Sequence, residues 1–423
     1  MAGAGAIEQL RAQAQACQSA GRLEEAEQLC HRILDIAPGD LDARHMIGVL
    51  RLQQGHGQDA LQIIAPLLAE APGHADIRTH HGLALQLLGH PIEALADFDT
   101  ALALKPGNAL TLLYRGNLLL EAGRPADALA SYDRLLATAP GYDEAWFRRG
   151  GALWLLDRFE DALASYRKAL EINPGRFGAA FNSGTALLKL ERYDEALAAF
   201  ERAAALAPDH RYVPGAIAAA VSGGCDLARW EDARARVIAA VKNRSGVIAP
   251  LTFLPYCDDG ALRRACSTAF ATDQASQTGA ALWTGQHYNH ERIRLAYLSS
   301  DFHQHATAEL IAGVIESHDR AQFEVTAISF SRDDASPMRA RIVKAFDRFE
   351  DVRAVSDADI ARWLRAQEID IALDLKVHTE GARAGILAYR PCPVQVNYLG
   401  YPGTIGAPWL DYIIGDAVVL PFR

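Results

Sequence analysis

No apolar run in the sequence approaches the ~20 residues that a membrane-spanning helix needs, so no span is expected. Met1 to Arg11 is rich in alanine and glycine but lacks a basic start followed by an apolar core, and a secretory leader is not expected. The cysteines at 17, 30, 225, 257, 266 and 392 are scattered and form no CxxC pair, which fits reduced thiols in a cytoplasmic protein. There is no GxGxxG, no lysine-bearing phosphate loop and no GxSxG elbow, which disfavours dinucleotide oxidoreductases, P-loop NTPases and α/β-hydrolases. Basic residues are outnumbered 42 to 52, a formal charge of −10. A net acidic chain is a poor general binder of phosphate backbones or anionic bilayers, so neither nucleic acid nor membrane is expected as a partner. Against these absences stand 423 residues, 50% hydrophobic and 22% charged. Those are ordinary globular figures, and at ~150 residues per domain the length suggests about three units.

The first half is periodic. Prolines fall at Pro38, Pro72, Pro106, Pro140, Pro174 and Pro208, always 34 residues apart. Ala26, Ala60, Ala94, Ala128, Ala162 and Ala196 keep the same step, as do Gly48, Gly82, Gly116, Gly150 and Gly184. Phe98, Tyr132, Tyr166 and Phe200 sit four residues after the later alanines. The small residues let paired helices approach, and the aromatic shares the alanine's helical face. Each proline stops the second helix, since it lacks an N–H and clashes with the preceding turn. Short GR, GH, DR and ER segments turn the chain between helices. This pattern resembles the tetratricopeptide repeat. Six repeats are placed at 7–40, 41–74, 75–108, 109–142, 143–176 and 177–210. Such repeats stack into a superhelix whose groove usually holds a peptide or another protein, a purely structural spacer being the alternative.

From Arg211 the spacing lapses. Residues 216–221 and 230–242 are expected as a degenerate seventh pair capping the solenoid. A helix is expected over 258–271, with Arg263 and Arg264 exposed, and a connecting loop over 274–290. Beyond that, apolar strands alternate with helices. Strands are expected at 292–298, 323–329, 349–352, 369–375, 394–398 and 412–414. Helices are expected at 305–317, 336–346, 357–366 and 381–389. Such alternation predicts a parallel, doubly wound α/β sheet, with chemistry at the carboxyl ends of its strands. The unusual residues cluster there: Ser299 to Thr307, Asp374 to Gly381, and Leu399 to Gly406. Glycines and hydroxyls near a helix start can cradle phosphate or sugar. By spacing alone, His303 and His305 read as a pair of exposed loop histidines rather than functional ones, and a His-x-His without a third ligand is a poor metal site.

The strings RIRLAYLSSDFHQHATAEL, DLKVHTEGAR and RPCPVQVNYLGYPGTIGAPWLDYIIGD resemble the catalytic domain of O-linked N-acetylglucosamine transferases, a family that also carries repeats in front. The resemblance implies an α-solenoid (1–210), a helical capping and linker region (211–290), and the N-terminal Rossmann-like half of a GT-B glycosyltransferase (291–423). It implies transfer of N-acetylglucosamine from UDP-N-acetylglucosamine to serine or threonine hydroxyls of proteins held by the repeats, inverting the anomeric centre and needing neither metal nor cofactor. The family's His-Pro-Thr histidine falls on His305, followed here by Ala306 and Thr307, and is implied to relay the hydroxyl's proton or orient the substrates. Substrate-binding positions implied are Thr307, His378, Thr379, Leu399, Gly400, Tyr401, Pro402, Gly403 and Thr404. Where the family often has Gly-Tyr-Thr, this chain has Val377-His378-Thr379, and a branch with a similar His-Thr pair transfers fucose. The repeats of some glycosyltransferases carry an asparagine two residues before each repeat glycine. Here those positions are Met46, His80, Tyr114, Arg148 and Asn182, so only Asn182 matches, while His80, Arg148 and Arg149 are candidates for reading side-chain or acidic features. The alternation ends at Arg423 with one α/β half, which predicts a chain truncated relative to a two-half enzyme and weak donor binding by this half alone. A non-catalytic repeat scaffold with an orphan half is the competing expectation.

Overall fold

The computed structural model describes residues 2–275, 278–401 and 403–415. The chain divides into two compact units, Met1–Leu190 and Glu191–Arg423. Among the described residues no helix is long and apolar enough to cross a membrane.

The first unit is a run of antiparallel helix pairs. α1 (Ala2–Ser19) pairs with α2 (Leu23–Ile36), α3 (Leu41–Gln53) with α4 (Gly57–Glu70), and α5 (Ala75–Leu87) with α6 (Pro91–Leu104). α7 (Ala109–Glu121) pairs with α8 (Pro125–Thr138), α9 (Asp143–Leu155) with α10 (Phe159–Ile172), and α11 (Phe177–Lys189) follows. The 34-residue ruler acts on the backbone. The residues before the repeat prolines, Ala37, Ala71, Lys105, Ala139 and Asn173, leave helical geometry with φ −137, −133, −140, −135 and −126. Proline's ring bars its predecessor from the α region, so each second helix ends at a fixed place. The turn within each pair needs a left-handed residue. Gly21, Gly55, Gly89 and Gly123 supply it with φ between +68 and +80, and Asp157 takes the same role at φ +57.

The glycine–aromatic pairing is a packing contact. A Cβ on Gly116 would lie 2.5 Å from the Tyr132 ring, and one on Gly82 would lie 2.9 Å from Phe98. Gly150 sits equally close under Tyr166. In the early repeat Ile64 takes the aromatic's place, 2.5 Å from a Cβ on Gly48. A polar ladder keeps the same step: Arg115 donates to Asp99 and Ser131 at 2.7 Å, and Arg149 to Asp133 and Ser165 at 2.7 Å. The side chains offered by the sequence as groove readers are therefore largely engaged. Arg149 serves the ladder, Arg148 pairs with Glu144 at 2.7 Å, and His80 Nδ1 lies 3.0 Å from His45 Nε2 and 2.8 Å from the Asp76 carbonyl.

The second unit opens with α12 (Tyr193–Leu206), α13 (Val213–Gly223) and α14 (Trp230–Lys242). Tyr193 lies over Gly223 and Gly224, a further aromatic-on-glycine contact. After α15 (Pro250–Phe253) and a 3₁₀ turn, α16 (Gly260–Gln274) follows. Tyr256 is buried, stacked on Trp230 at 4.3 Å, and donates to the Ala218 carbonyl at 2.8 Å. Arg263, expected exposed, is half-buried: it donates to the Cys257 and Leu254 carbonyls at 2.5 and 3.2 Å, closing the irregular segment ahead of its helix.

The sheet is parallel throughout. β1 (Ile293–Ser299), β2 (Phe323–Ser329), β3 (Arg348–Asp351), β4 (Ile371–Asp374), β5 (Val394–Tyr398) and β6 (Tyr412–Ile414) lie in the order β3-β2-β1-β4-β5-β6. Four helices connect them: α17 (Ala306–Glu316), α18 (Pro337–Ala345), α19 (Asp357–Ala366) and α20 (Gly385–Ala388). Alternate residues of β1 feed two apolar layers, Leu295 and Tyr297 on one face, Ala296 and Leu298 on the other. Burial on both faces explains the continuous apolar strings read as strands. The helix expected over 381–389 shrinks to one turn. Arg383 is pulled out to Asp357 at 2.7 Å and to the Val352 carbonyl at 3.0 Å, and Gly381 is left-handed at φ +77.

Candidate functional site

Strand order reverses between β1 and β4. In open parallel sheets the crevice at such a switch point, beyond the strands' carboxyl ends, is where ligands bind. The loops after β1 and β4 meet here through one buried ion pair. Lys376 Nζ lies 2.9 and 2.8 Å from the two carboxylate oxygens of Asp301, and both side chains are only 7% exposed. Asp301 also accepts from Ser300 Oγ and Thr307 Oγ1, each at 3.1 Å. A buried carboxylate tolerates burial only when so surrounded.

His305 stands at the N-terminus of α17. The Thr307 backbone N–H donates to His305 Nδ1 at 3.1 Å, and Asp301 Oδ2 lies 3.5 Å from the same nitrogen. A backbone N–H can only donate, so Nδ1 offers its lone pair and the neutral ring carries its proton on Nε2. With 41% of its side chain exposed, His305 thus presents an N–H donor at a helix start, where the helix dipole also favours negative charge. For Nε2 to accept a proton, Nδ1 must instead donate, with Asp301 Oδ2 as the acceptor, and the helix cap must open. His303 lies further out, 3.9 Å from Asp334, whose carboxylate accepts the Gln304 backbone N–H at 2.9 Å and is held at about 2 by such bonds.

At the end of β4, Asp374 accepts the backbone N–H groups of Lys376 and Val377 at 2.8 and 3.1 Å, while burial pushes its carboxyl upward. This folds Val377 into a left-handed turn, φ +48, that turns His378 toward the β5–β6 loop. His378 Nε2 donates to the Ile405 carbonyl at 2.6 Å, leaving Nδ1 as a buried acceptor without a partner. Burial holds this imidazole below its ordinary pKa, hence neutral. The Thr379 hydroxyl is used within its own turn, donating to the Lys376 carbonyl at 3.0 Å.

After β5 the chain turns through Leu399 and Gly400, both left-handed at φ +59 and +70. A Cβ on Gly400 would lie 2.5 Å from the Leu375 carbonyl, so glycine alone lets this loop lie on the β4 loop. The Leu399 side chain packs on the sheet's apolar layer. Tyr401 is buried edge-on to His378, ring centroids 5.3 Å apart, and Gly403 lies under the Tyr401 ring. Thr404 is exposed, and Pro402 lies outside the described residues. Two constellations result: His305 and Thr307 gathered on Asp301 and Lys376, and His378, Gly400, Tyr401 and Gly403 stacked beside them. No described hydrogen bond joins His305 to the 399–404 loop. Sequence reasoning missed Asp301 and Lys376. Their signal was a lone acid and a lone lysine at the ends of apolar strands, where charged side chains rarely sit unless paired. Among the described residues no group of three His, Cys, Asp or Glu side chains is placed to hold a metal ion.

Repeats of helix pairs followed by a switch-point site on a parallel sheet define a helical-repeat protein with an open α/β sheet. Residues 274–423 match the model of glycosyl transferase family 41, and residues 18–81, 113–177 and 153–220 match tetratricopeptide repeat models. The chain thus carries segments similar to tetratricopeptide repeats ahead of a segment similar to glycosyl transferase family 41. A probable UDP-N-acetylglucosamine–peptide N-acetylglucosaminyltransferase of Arabidopsis thaliana, SEC, is 38% identical over 133 residues, which are 31% of this chain and 14% of that protein. The Caenorhabditis elegans UDP-N-acetylglucosamine–peptide N-acetylglucosaminyltransferase is 38% identical over 136 residues, 32% of this chain and 12% of its own length. The matched stretch thus spans about one seventh or less of these relatives. A solved O-GlcNAc transferase mutant of Thermobaculum terrenum is similar at 24% identity and a TM-score of 0.48, covering 73% of this chain and 53% of that one.

Proposed function

We propose that this chain supplies the acceptor-side part of a cytoplasmic protein O-glycosyltransferase. It moves N-acetylglucosamine from UDP-N-acetylglucosamine to serine or threonine hydroxyls of proteins held by the repeats, with inversion and without a metal. In that reaction the hydroxyl oxygen attacks the anomeric carbon, the bond from that carbon to the diphosphate breaks so that UDP leaves with the bonding pair, and the hydroxyl proton passes to His305 Nε2 in the tautomer whose Nδ1–H faces Asp301 Oδ2. The observation that carries the reading is the Asp301–Lys376 pair at the switch point, with His305 held beside it on the first turn of α17. Before transfer His305 Nε2–H orients a substrate oxygen; for transfer the ring takes the other tautomer, Nδ1–H donating to Asp301 Oδ2 and Nε2 free to accept the hydroxyl proton. The buried lone pair of His378 Nδ1 accepts from a sugar hydroxyl or amide. The backbones of Gly400 and Gly403 and the hydroxyl of Thr404 line the acceptor side.

The test is binding and turnover with UDP-N-acetylglucosamine and GDP-fucose, on this chain and on the whole gene product. Turnover of the first donor supports the reading. Turnover of GDP-fucose alone changes the sugar. Absence of binding and turnover with both, in the whole gene product, leaves the repeats as a scaffold.

A further inference from the structure

A pocket of about 1140 Å³ opens between the end of α14, the turn at 244–247 and the outer face of α16. Its walls are preformed. Gly246 packs so closely that a Cβ would lie 2.8 Å from the Ala240 methyl, and the Val247 N–H donates to the Arg211 carbonyl at 2.9 Å. Three guanidinium groups line it, while the chain as a whole is acidic. Arg211 is paired with Asp273. Arg244 and Arg264 are exposed and have no carboxylate partner among the described residues. Val247, Ala265 and Ala269 give the same lining a small apolar surface. None of the described lining residues is aromatic, so nothing offers a nucleobase a stacking platform. The volume exceeds that of a small oxyanion and matches a ligand of several residues. Thr268 of the same wall packs on Gly406, where a Cβ would lie 2.6 Å from the Thr268 nitrogen, so the pocket adjoins the loop that follows β5.

We infer that this pocket binds an acidic peptide segment, with carboxylates on Arg244 and Arg264 and the backbone over the apolar surface. The inference deepens the proposed acceptor reading, on which it rests only for which peptide arrives: acidic residues flanking the modified hydroxyl would be favoured. Binding itself needs no sugar transfer.

The test uses the full chain and fluorescein-labelled peptides rich in glutamate, or identical with glutamine in its place, read by anisotropy at fixed ionic strength. The glutamate peptide is expected to bind at least about tenfold more tightly, since charge-assisted contacts to guanidinium are the strong ones. That preference is expected to vanish in R244E/R264E and, through blocking of the apolar surface, in A265E, with circular dichroism unchanged. Equal binding of the two peptides, or a preference retained in both variants, overturns the inference. Displacement by millimolar inorganic phosphate as complete as by unlabelled peptide reassigns the pocket to a small oxyanion and also overturns it. Loss of transfer with peptide binding intact sinks the proposed function and leaves this inference standing.

Discussion

Lys376→Met removes one charge from the pair that joins the β1 and β4 loops while keeping most of the side-chain volume. Both partners are 7% exposed, so the change leaves Asp301 as a buried carboxylate without its cation. Breaking a buried pair from one side costs ~3–5 kcal/mol. Two hydroxyl donors remain on Asp301, from Ser300 and Thr307 at 3.1 Å, which places the expected loss at the lower end, about 3 kcal/mol. The assay is urea unfolding followed by hydrogen–deuterium exchange of peptides covering 293–299 and 371–374, so that the sheet is read separately from the repeats. Asp301→Asn leaves the converse buried cation and is expected to cost as much. The double variant D301N/K376M is expected to cost less than the sum, since neither charge is then stranded. A loss below about 1 kcal/mol for K376M, or additive losses in the double variant, would refute the claim that this pair sets the geometry of the site.

Three further outcomes follow from the structure. Asp157→Gly should stabilise the repeat unit by about 0.5–1 kcal/mol in thermal unfolding, because the left-handed conformation costs an L-residue ~1–2 kcal/mol and glycine's extra chain entropy returns only part. His45, pressed down to about 3 by burial and by its neighbours His80 and His74, stays neutral in the fold but protonates near 6.5 when unfolded. The unfolded state therefore binds more protons, and the repeat unit should lose stability as pH falls from about 6.5 toward 3, a slope that His45→Gln should flatten in unfolding series across pH. Iodoacetamide should label exposed Cys225 first, as read by mass spectrometry. Buried Cys30 and Cys266, whose thiols burial pushes up to about 11 and about 12, should react only on unfolding.

Much of the fold was legible because its determinants are local. Each repeat proline dictates the backbone of the residue before it, and Gly48, Gly82, Gly116 and Gly150 face Ile64 or an aromatic on the partner helix. The strands were legible because both faces of the sheet are buried, so the strings are apolar without interruption. What escaped was set by contacts distant in sequence. The 381–389 segment reads as a helix, yet Arg383 is drawn to Asp357 and the Val352 carbonyl. Arg263 reads as a surface charge, yet carbonyls before its helix claim it. At the site, the special residues were visible as three clusters, but not that Asp301 and Lys376, 75 positions apart, form its buried link. The groove candidates Arg148, Arg149 and His80 looked free because their partners lie across a turn of helix or on a neighbouring helix.

Sugar transfer by the whole gene product, measured with radiolabelled UDP-N-acetylglucosamine before and after His305→Ala, tests the central claim most directly. The account predicts transfer to protein hydroxyls by the wild type and a loss of roughly 10²-fold or more in the variant. Unchanged turnover in His305→Ala would contradict it.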